Sequence, residues 1–275
     1  MGGHDTFAPR VLAAYHPRMS LMNIAGVALD VVRVEGPDGR APIVFLHEGL
    51  GSISQWTYRG QNWPKAVCRA TGRAGVVYSR QGYGQSAPAA ARRHALRADY
   101  LHREAWEVLP ALLKALHIGP AVLLGHSDGA TIALLHASRH QVAACVAMAP
   151  HVIVETIAIA AIAQAKEAFE SGSLRERLAK HHADVDGAFR QWNDVWLSEP
   201  FSHFDIRKEC RQITAPLLLV QGVNDDYGTL QQLDEIARAV PHARQCRLAD
   251  CGHFPHRDQA ALSLQAVTAF LENSA

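Results

Sequence analysis

Residues 123–131 read LLGHSDGAT, an apolar run that stops at a histidine and then sets a serine and an aspartate between two glycines. The stretch fits G-x-S-x-G, with Gly125 and Gly129 around Ser127. That spacing predicts a strand ending in a sharp, strained turn into a helix, which lifts one hydroxyl clear of the backbone. A serine in this place can equally be the cap of its helix. What the rest of the chain brings to the same spot decides between the two.

Ahead of the elbow, RMSLMNIAG, VALDVVRV and PIVFLH read as strands within residues 18–47, with a turn at EGPDGR. QNWPKAVCRATG can form a helix late in its run, and GVVYS is another apolar strand. In LRADYLHREAWEVLPALLKALH, Leu101, Trp106, Leu109, Leu112, Leu113 and Leu116 recur at helical spacing, and AVLLGH follows as a strand. Behind the elbow come a helix from Ser127 towards His140, a strand at VAACVAMAP, then PLLLVQG, a helix through LQQLDEIARAV, RQCRLAD and a last helix, ALSLQAVTAFLE. Apolar strands joined by amphipathic helices imply an α/β fold with a mostly parallel sheet covered on both faces. Between AMAP and PLLLVQG the rhythm breaks: residues 151–205 hold helical stretches such as IAIAAIAQAKEAFE, LRERLAKHH and DVDGAFRQWNDVW. The expected organisation is one core, residues 1–150 and 206–275, with residues 151–205 as a helical insertion over the carboxyl ends of the strands.

The 275 residues are 48% hydrophobic and 19% charged, with a formal net charge of +1, so no strong field draws nucleic acid or anionic membrane. The expected partner is a small-molecule substrate. Five scattered cysteines do not read as a disulfide framework and suit a reducing cytoplasm. No stretch approaches the roughly 18 continuous apolar residues of a membrane span, and the N-terminus lacks the charged-then-apolar plan of a secretory signal. Met1, Gly2 and Thr6 fit an acylation pattern, but no basic cluster follows them, and an untethered terminus is the reading preferred. Cys246, Cys251, His253 and His256 crowd together without the spacing of a zinc site, so neither metal nor cofactor is expected.

A serine hydroxyl needs a base within hydrogen-bond reach, and the base needs an acceptor that fixes its tautomer. In a parallel sheet both should follow strands, because all the carboxyl ends open on one edge. Of the 16 histidines, His253 in LADCGHFPHRD lies just after the last apolar run, behind Gly252, where the backbone can turn sharply; His256 is the second choice. For the acid, LLLVQGVNDDYG leaves a strong strand and reaches Asp225, with Asp226 as the fallback.

The order Ser127, Asp225, His253 is the chain order of the α/β-hydrolase triad. With HEGLGS, SRQGYGQS, GHSDG, GVNDD and CGHFPHRD each behind a predicted strand, the chain resembles an α/β-hydrolase of the group carrying a helical cap between strands six and seven. Esterases, carbon–carbon hydrolases and proline iminopeptidases belong to that group. The resemblance implies an oxyanion hole made by the N–H of Asp128 and one from HEGLGS, taken as Gly49, with Leu50 as the alternative. Relatives commonly carry glycine where this chain has Glu48. Glu48 either points to solvent or bonds a neighbouring amide, or else anchors a cationic group on the substrate. Arg80 is expected to brace loops, and the Asp128 side chain to be structural at its helix N-terminus. Phe169, Phe189, Phe201 and Phe204 are expected to pack the cap's own core, with Trp192 and Trp196, four apart on one helical face, as the pocket candidates.

Serine at the elbow supports acyl transfer or water activation, and hydrolysis of a small carboxylic ester through an acyl-enzyme is the leading expectation. The alternatives are hydrolysis of a carbon–carbon bond in vinylogous diketones, of lactones or of aminoacyl substrates. A ligand-binding protein of this fold without turnover is the rival from outside enzymology.

Overall fold

Eight strands make the main sheet in the computed structural model, which describes residues 20–91 and 95–273. They are β1 (Ser20–Ile24), β2 (Val27–Val34), β3 (Ile43–Leu46), β4 (Gly75–Ser79), β5 (Val122–His126), β6 (Ala144–Met148), β7 (Leu217–Gly222) and β8 (Arg244–Leu248). Their order across the sheet is β1-β2-β4-β3-β5-β6-β7-β8. The β1–β2 and β2–β4 pairs are antiparallel and the others parallel, as a mostly parallel sheet requires. Met1, Gly2 and Thr6 lie outside the described residues.

Why the central strands run apolar at every residue follows from their surroundings. Leu46, Leu123, Ala147 and Leu219 face one cluster with Leu101, Leu109, Leu134 and Ile236. Phe45, Leu124, Val146 and Val220 face the other with Val67, Val267 and Phe270. The register aligns Leu46 with Gly125, Gly125 with Ala147 and Ala147 with Leu219, so the carboxyl ends of β3, β5, β6 and β7 reach one edge together. β8 departs from the expectation of an all-apolar strand: RQCRL is exposed along most of its length, because an edge strand has one neighbour and one covered side.

Helices α1 (Trp63–Thr71), α2 (Tyr100–Arg103), α3 (Leu109–Ala115) and α4 (Asp128–Ala137) precede β6. α1 begins late in its segment, as its sequence suggests, with Asn62 Oδ1 accepting the Lys65 N–H at 2.9 Å. The helix read across residues 96–117 is broken by a wider turn at Glu104–Val108. Pro110 has no N–H for the carbonyl four residues back, and the widened turn sits directly ahead of it. Between β6 and β7 lie α5 (Thr156–Glu170), α6 (Ser173–Leu178), α7 (Val185–Trp196), α8 (Glu199–Ser202) and α9 (Arg207–Cys210). Among the described residues, one isolated bridge, Ile153 to Asp205, is the extended pairing there. On α7, Val185, Ala188, Phe189, Trp192, Val195 and Trp196 are buried, a face of helical period. After β7 come α10 (Gln231–Ala239), α11 (Pro255–Asp258) and α12 (Ala260–Glu272). No helix of the described residues is long and apolar enough to cross a membrane.

The fold holds several imidazoles away from water. Burial pushes His136 and His182 down to about 4 and His151 down to about 3. In the unfolded chain each titrates near its ordinary value of about 6.5. Between those values the unfolded chain binds protons that the fold refuses, so this contribution is full above about pH 6.5 and is lost as the pH falls towards 4. The urea midpoint is therefore expected to drop on acidification from about pH 7 to about pH 4. His136→Gln should flatten part of that slope, and an unchanged slope in the variant would contradict the assignment.

Candidate active site

Ser127 sits at the turn from β5 into α4 with φ 53° and ψ −120°, a conformation that a residue with a side chain rarely adopts. Its N–H donates to the Met148 carbonyl at 2.9 Å, and its own carbonyl accepts from Ala130 and Thr131. The two motif glycines serve close approach. A Cβ on Gly125 would lie 2.1 Å from the Gly129 carbonyl oxygen, and one on Gly129 would lie 2.0 Å from that of Leu46. The serine carries the positive φ and the glycines make the room.

His253 follows β8 in the loop ahead of α11. The left-handed residue of that loop is Asp250, at φ 49°, rather than the glycine that the sequence suggested; Gly252 instead donates its N–H to Asp258. The Ser127 hydroxyl donates to His253 Nε2 at 3.0 Å. His253 Nδ1 donates to the Asp225 carboxylate, 2.9 Å from one oxygen and 3.0 Å from the other. That carboxylate also accepts the N–H groups of Tyr227 and Gly228 and the amide of Gln221. Burial would raise its pKa, but His253 and the Tyr227 N–H outweigh burial and hold it below the ordinary carboxylate value. All three residues are buried, Ser127 at 7% exposure and the other two at 6%. Asp226 is exposed, and His256 packs against Trp56 and Trp63, so neither fallback joins the group.

The loop after β3 carries Glu48, Gly49 and Leu50. Among the described residues the N–H groups of Gly49 and Leu50 meet no acceptor, and the Asp128 N–H opens α4, where a helix leaves its first donors free. Asp128 follows the serine directly, and Glu48, next to Gly49, lies 3.6 Å from His126, the residue before the serine. Leu50 is half-buried, and its carbonyl accepts from His182 Nε2 at 2.9 Å and from Gln55 at 2.7 Å. Arg80 donates to the Glu48 carbonyl at 2.7 Å and lies 3.5 Å from the Asp128 carboxylate, which is the bracing expected of it. Asp128 also accepts from the Tyr100 hydroxyl at 2.5 Å and from Trp196 Nε1 at 3.3 Å.

Glu48 does not point to solvent. Its side chain is 13% exposed, and Oε2 lies 3.6 Å from Nδ1 of the fully buried His126. His126 in turn donates Nε2–H to the His253 carbonyl at 2.7 Å. Burial would raise the Glu48 carboxyl, but His126 first and then Arg257 hold it well below the carboxylate range. Trp192 and Trp196 are buried too. Trp192 presses its indole nitrogen against Gly49, while Trp196 meets His151 edge-on and Phe201 at a tilt. The phenylalanines of residues 151–205 pair with each other, Phe169 on Phe189 at 3.8 Å and Phe201 on Phe204 at 4.9 Å. A cavity of about 580 Å³ lies apart from this cluster, lined by Arg80, Tyr83 and Tyr100 and by none of Ser127, Asp225 and His253.

Sequence reasoning missed His126, His151 and His182. His126 ends β5 beside the serine, and His151 follows β6 with its ring 5.8 Å from that of His253. The rule that selected Asp225 and His253, position just past a strand end, also points to both. Nothing local marks His182.

Residues 43–265 match the model of the alpha/beta hydrolase family. A mouse protein, sn-1-specific diacylglycerol lipase ABHD11, is 26% identical over 260 residues, covering 83% of this chain and 80% of that protein. A membrane phospholipase A described as a bacterial virulence factor superposes with a TM-score of 0.73 at 16% identity, covering 94% of this chain and 86% of that one. The enol-lactonase of Burkholderia xenovorans LB400 superposes at 0.69 with 20% identity, covering 91% and 99%. At these identities the two superpositions speak for the fold.

Glu48→Ala takes away the carboxylate that lies 3.6 Å from the buried His126 Nδ1, an atom with no hydrogen-bond partner among the described residues, and is expected to lower stability in urea by about 1–3 kcal/mol. Glu48→Gln should recover part of the loss. Equal midpoints for all three proteins would show that the pair holds nothing.

Proposed function

The chain belongs to the alpha/beta hydrolase family and is a hydrolase; from that premise we propose that it cleaves a small carboxylic ester through a serine acyl-enzyme. Ser127 is the nucleophile, His253 the base and Asp225 the group that orients it. The observation that carries the reading is the unbroken chain from the Ser127 hydroxyl to His253 at 3.0 Å and on to Asp225 at 2.9 Å. The similarity to a mouse lipase, whose name denotes cleavage of a glyceride ester, supports an ester over a carbon–carbon bond.

As Oγ bonds to the ester carbonyl carbon, its proton passes to His253 Nε2 and the carbonyl electron pair moves onto oxygen. The N–H groups of Gly49 and Asp128 receive that oxyanion, each donor of this kind lowering the barrier by about 3 kcal/mol. Asp225 stabilises the imidazolium. Collapse of the intermediate breaks the bond to the leaving alcohol, which takes the proton from His253. Water then gives a proton to the imidazole, attacks the acyl carbon and frees the acid as the proton returns to Ser127.

In this reading residues 151–205 form a cap over the sheet edge, and Leu50 lines the substrate side of the site. Glu48 acts from behind through His126 and makes no contact with a substrate cation. The five unpaired thiols, four of them buried, suit a cytoplasmic residence.

The test is the burst of 4-nitrophenolate from 4-nitrophenyl acetate. It is expected in the unaltered protein, absent in Ser127→Ala, and slowed in Asp225→Asn by about 10⁴-fold, the order seen when a triad acid is neutralised. A burst that survives Ser127→Ala would overturn the assignment. No burst from esters of any acyl length would favour a binding protein instead.

A further inference from the structure

Helix α7 carries two tryptophans one turn apart, and each touches one of the segments proposed to hold the oxyanion. A methyl group on Gly49 would lie 2.1 Å from Trp192 Nε1, so the indole edge rests on the Gly49 α-carbon. One turn on, Trp196 Nε1 donates to the Asp128 carboxylate at 3.3 Å and to the Tyr100 hydroxyl at 3.0 Å. The peptide joining Glu48 to Gly49 is fixed from its other end, because its carbonyl accepts from Arg80 at 2.7 Å. In a trans peptide the N–H points opposite to the carbonyl, so Arg80 aims the Gly49 N–H while Trp192 stops that peptide from swinging towards α7. Arg80 and Trp196 meet at the Asp128 carboxylate, 3.5 Å from the first and 3.3 Å from the second.

We propose, resting on the serine-hydrolase reading above, that α7 is a brace for the oxyanion hole, with Trp192 and Trp196 as positioning residues that fix the Gly49 and Asp128 donors relative to each other. The cap then does more than cover the site. Its seating and the alignment of the two donors are a single event, and the indoles act on the charged intermediate more than on the bound ester.

This distinguishes a brace from a pocket wall, because interactions felt only in the transition state alter kcat and leave KM in place. The experiment measures kcat and KM for 4-nitrophenyl acetate and the inhibition constant of trifluoroacetone in Trp192→Phe and Trp196→Phe. Trifluoroacetone adds to Ser127 Oγ as the proton moves to His253; nothing leaves, and the resulting alkoxide occupies the oxyanion hole. Both variants should lose kcat by about tenfold or more and lose inhibitor affinity by the same factor, with KM within about twofold. Val267→Ala, which opens space in the separate apolar cluster beneath α12, away from α7, should lower the urea midpoint and leave kcat, KM and the inhibition constant unchanged. A rise in KM at constant kcat would make the tryptophans a substrate wall and overturn the brace, as would unchanged kcat and inhibition. If Trp196→Phe does not fold, Trp192→Phe alone decides by the same criteria. Ser127→Ala separates the two claims: if it keeps turnover, the serine reading falls and takes the brace with it, whereas a dead Ser127→Ala beside unaffected tryptophan variants removes the brace alone.

Discussion

The constraint on which the molecule turns is one residue of strained backbone. Ser127 is held at φ 53°, where a side chain crowds its own peptide, and such a residue costs on the order of 1–3 kcal/mol wherever it occurs. It persists because both sides of the turn are pinned. The Ser127 N–H is tied to β6 through Met148, and the first turn of α4 hangs from its carbonyl. The turn also demands that β5, β3 and α4 nearly touch. Gly125 and Gly129 meet that demand, since a Cβ on either would sit within 2.1 Å of a backbone oxygen. Strain, close packing and the aligned strand ends are thus one design, and each proposed role of the serine, of the Asp128 N–H and of His253 presupposes it.

Around this point three carboxylates lie in the interior, and each is balanced differently. Asp225 is satisfied by two backbone amides, the Gln221 side chain and His253. Asp128 is held by Arg80, Tyr100 and Trp196, with burial raising its carboxyl above the ordinary value against the pull of Arg80. Glu48 lies 3.6 Å from His126, and the charge of Arg257 adds to that of the imidazole in holding its carboxyl down. A buried charge is tolerable only where such partners replace water. What sets Asp225 apart is its partner: His253 is the imidazole among them that also reaches an alcohol.

Most of the fold is legible in the sequence because its signals are local. Period-two and period-3.6 patterns fix strands and helices over a dozen residues, and the elbow motif, the acid after PLLLVQG and the histidine after RQCRLAD each announce themselves beside a strand. The misreadings come from effects that no short window contains. β8 is polar because it lies at the sheet edge, and the broken helix before β5 answers to the missing N–H of Pro110. Pairing between elements is hidden more deeply. His182 meets the Leu50 carbonyl across 132 positions, and Trp196 meets Asp128 across 68. Glu48 shows the limit well: as an odd residue in a glycine-rich loop it invites a substrate role, whereas its neighbour in space is the histidine preceding the nucleophile, a strand away in the sheet.

The tryptophans of α7 carry the reasoning one step further. Their spacing marks an amphipathic helix whose apolar face must be covered, and a cap with its own small core would cover it. Phe189 stacks on Phe169 within the same apolar cluster as the sheet, while Trp192 and Trp196 reach Gly49 and Asp128. With Ser127 at 7% exposure, an ester of the kind proposed would have to pass this wall. Lifting α7 would open the site and at the same time release the brace on both donors; reseating it would expel water and restore them. Substrate entry and charge stabilisation would then belong to opposite positions of one helix, so the site would be chemically competent only when it is closed to solvent.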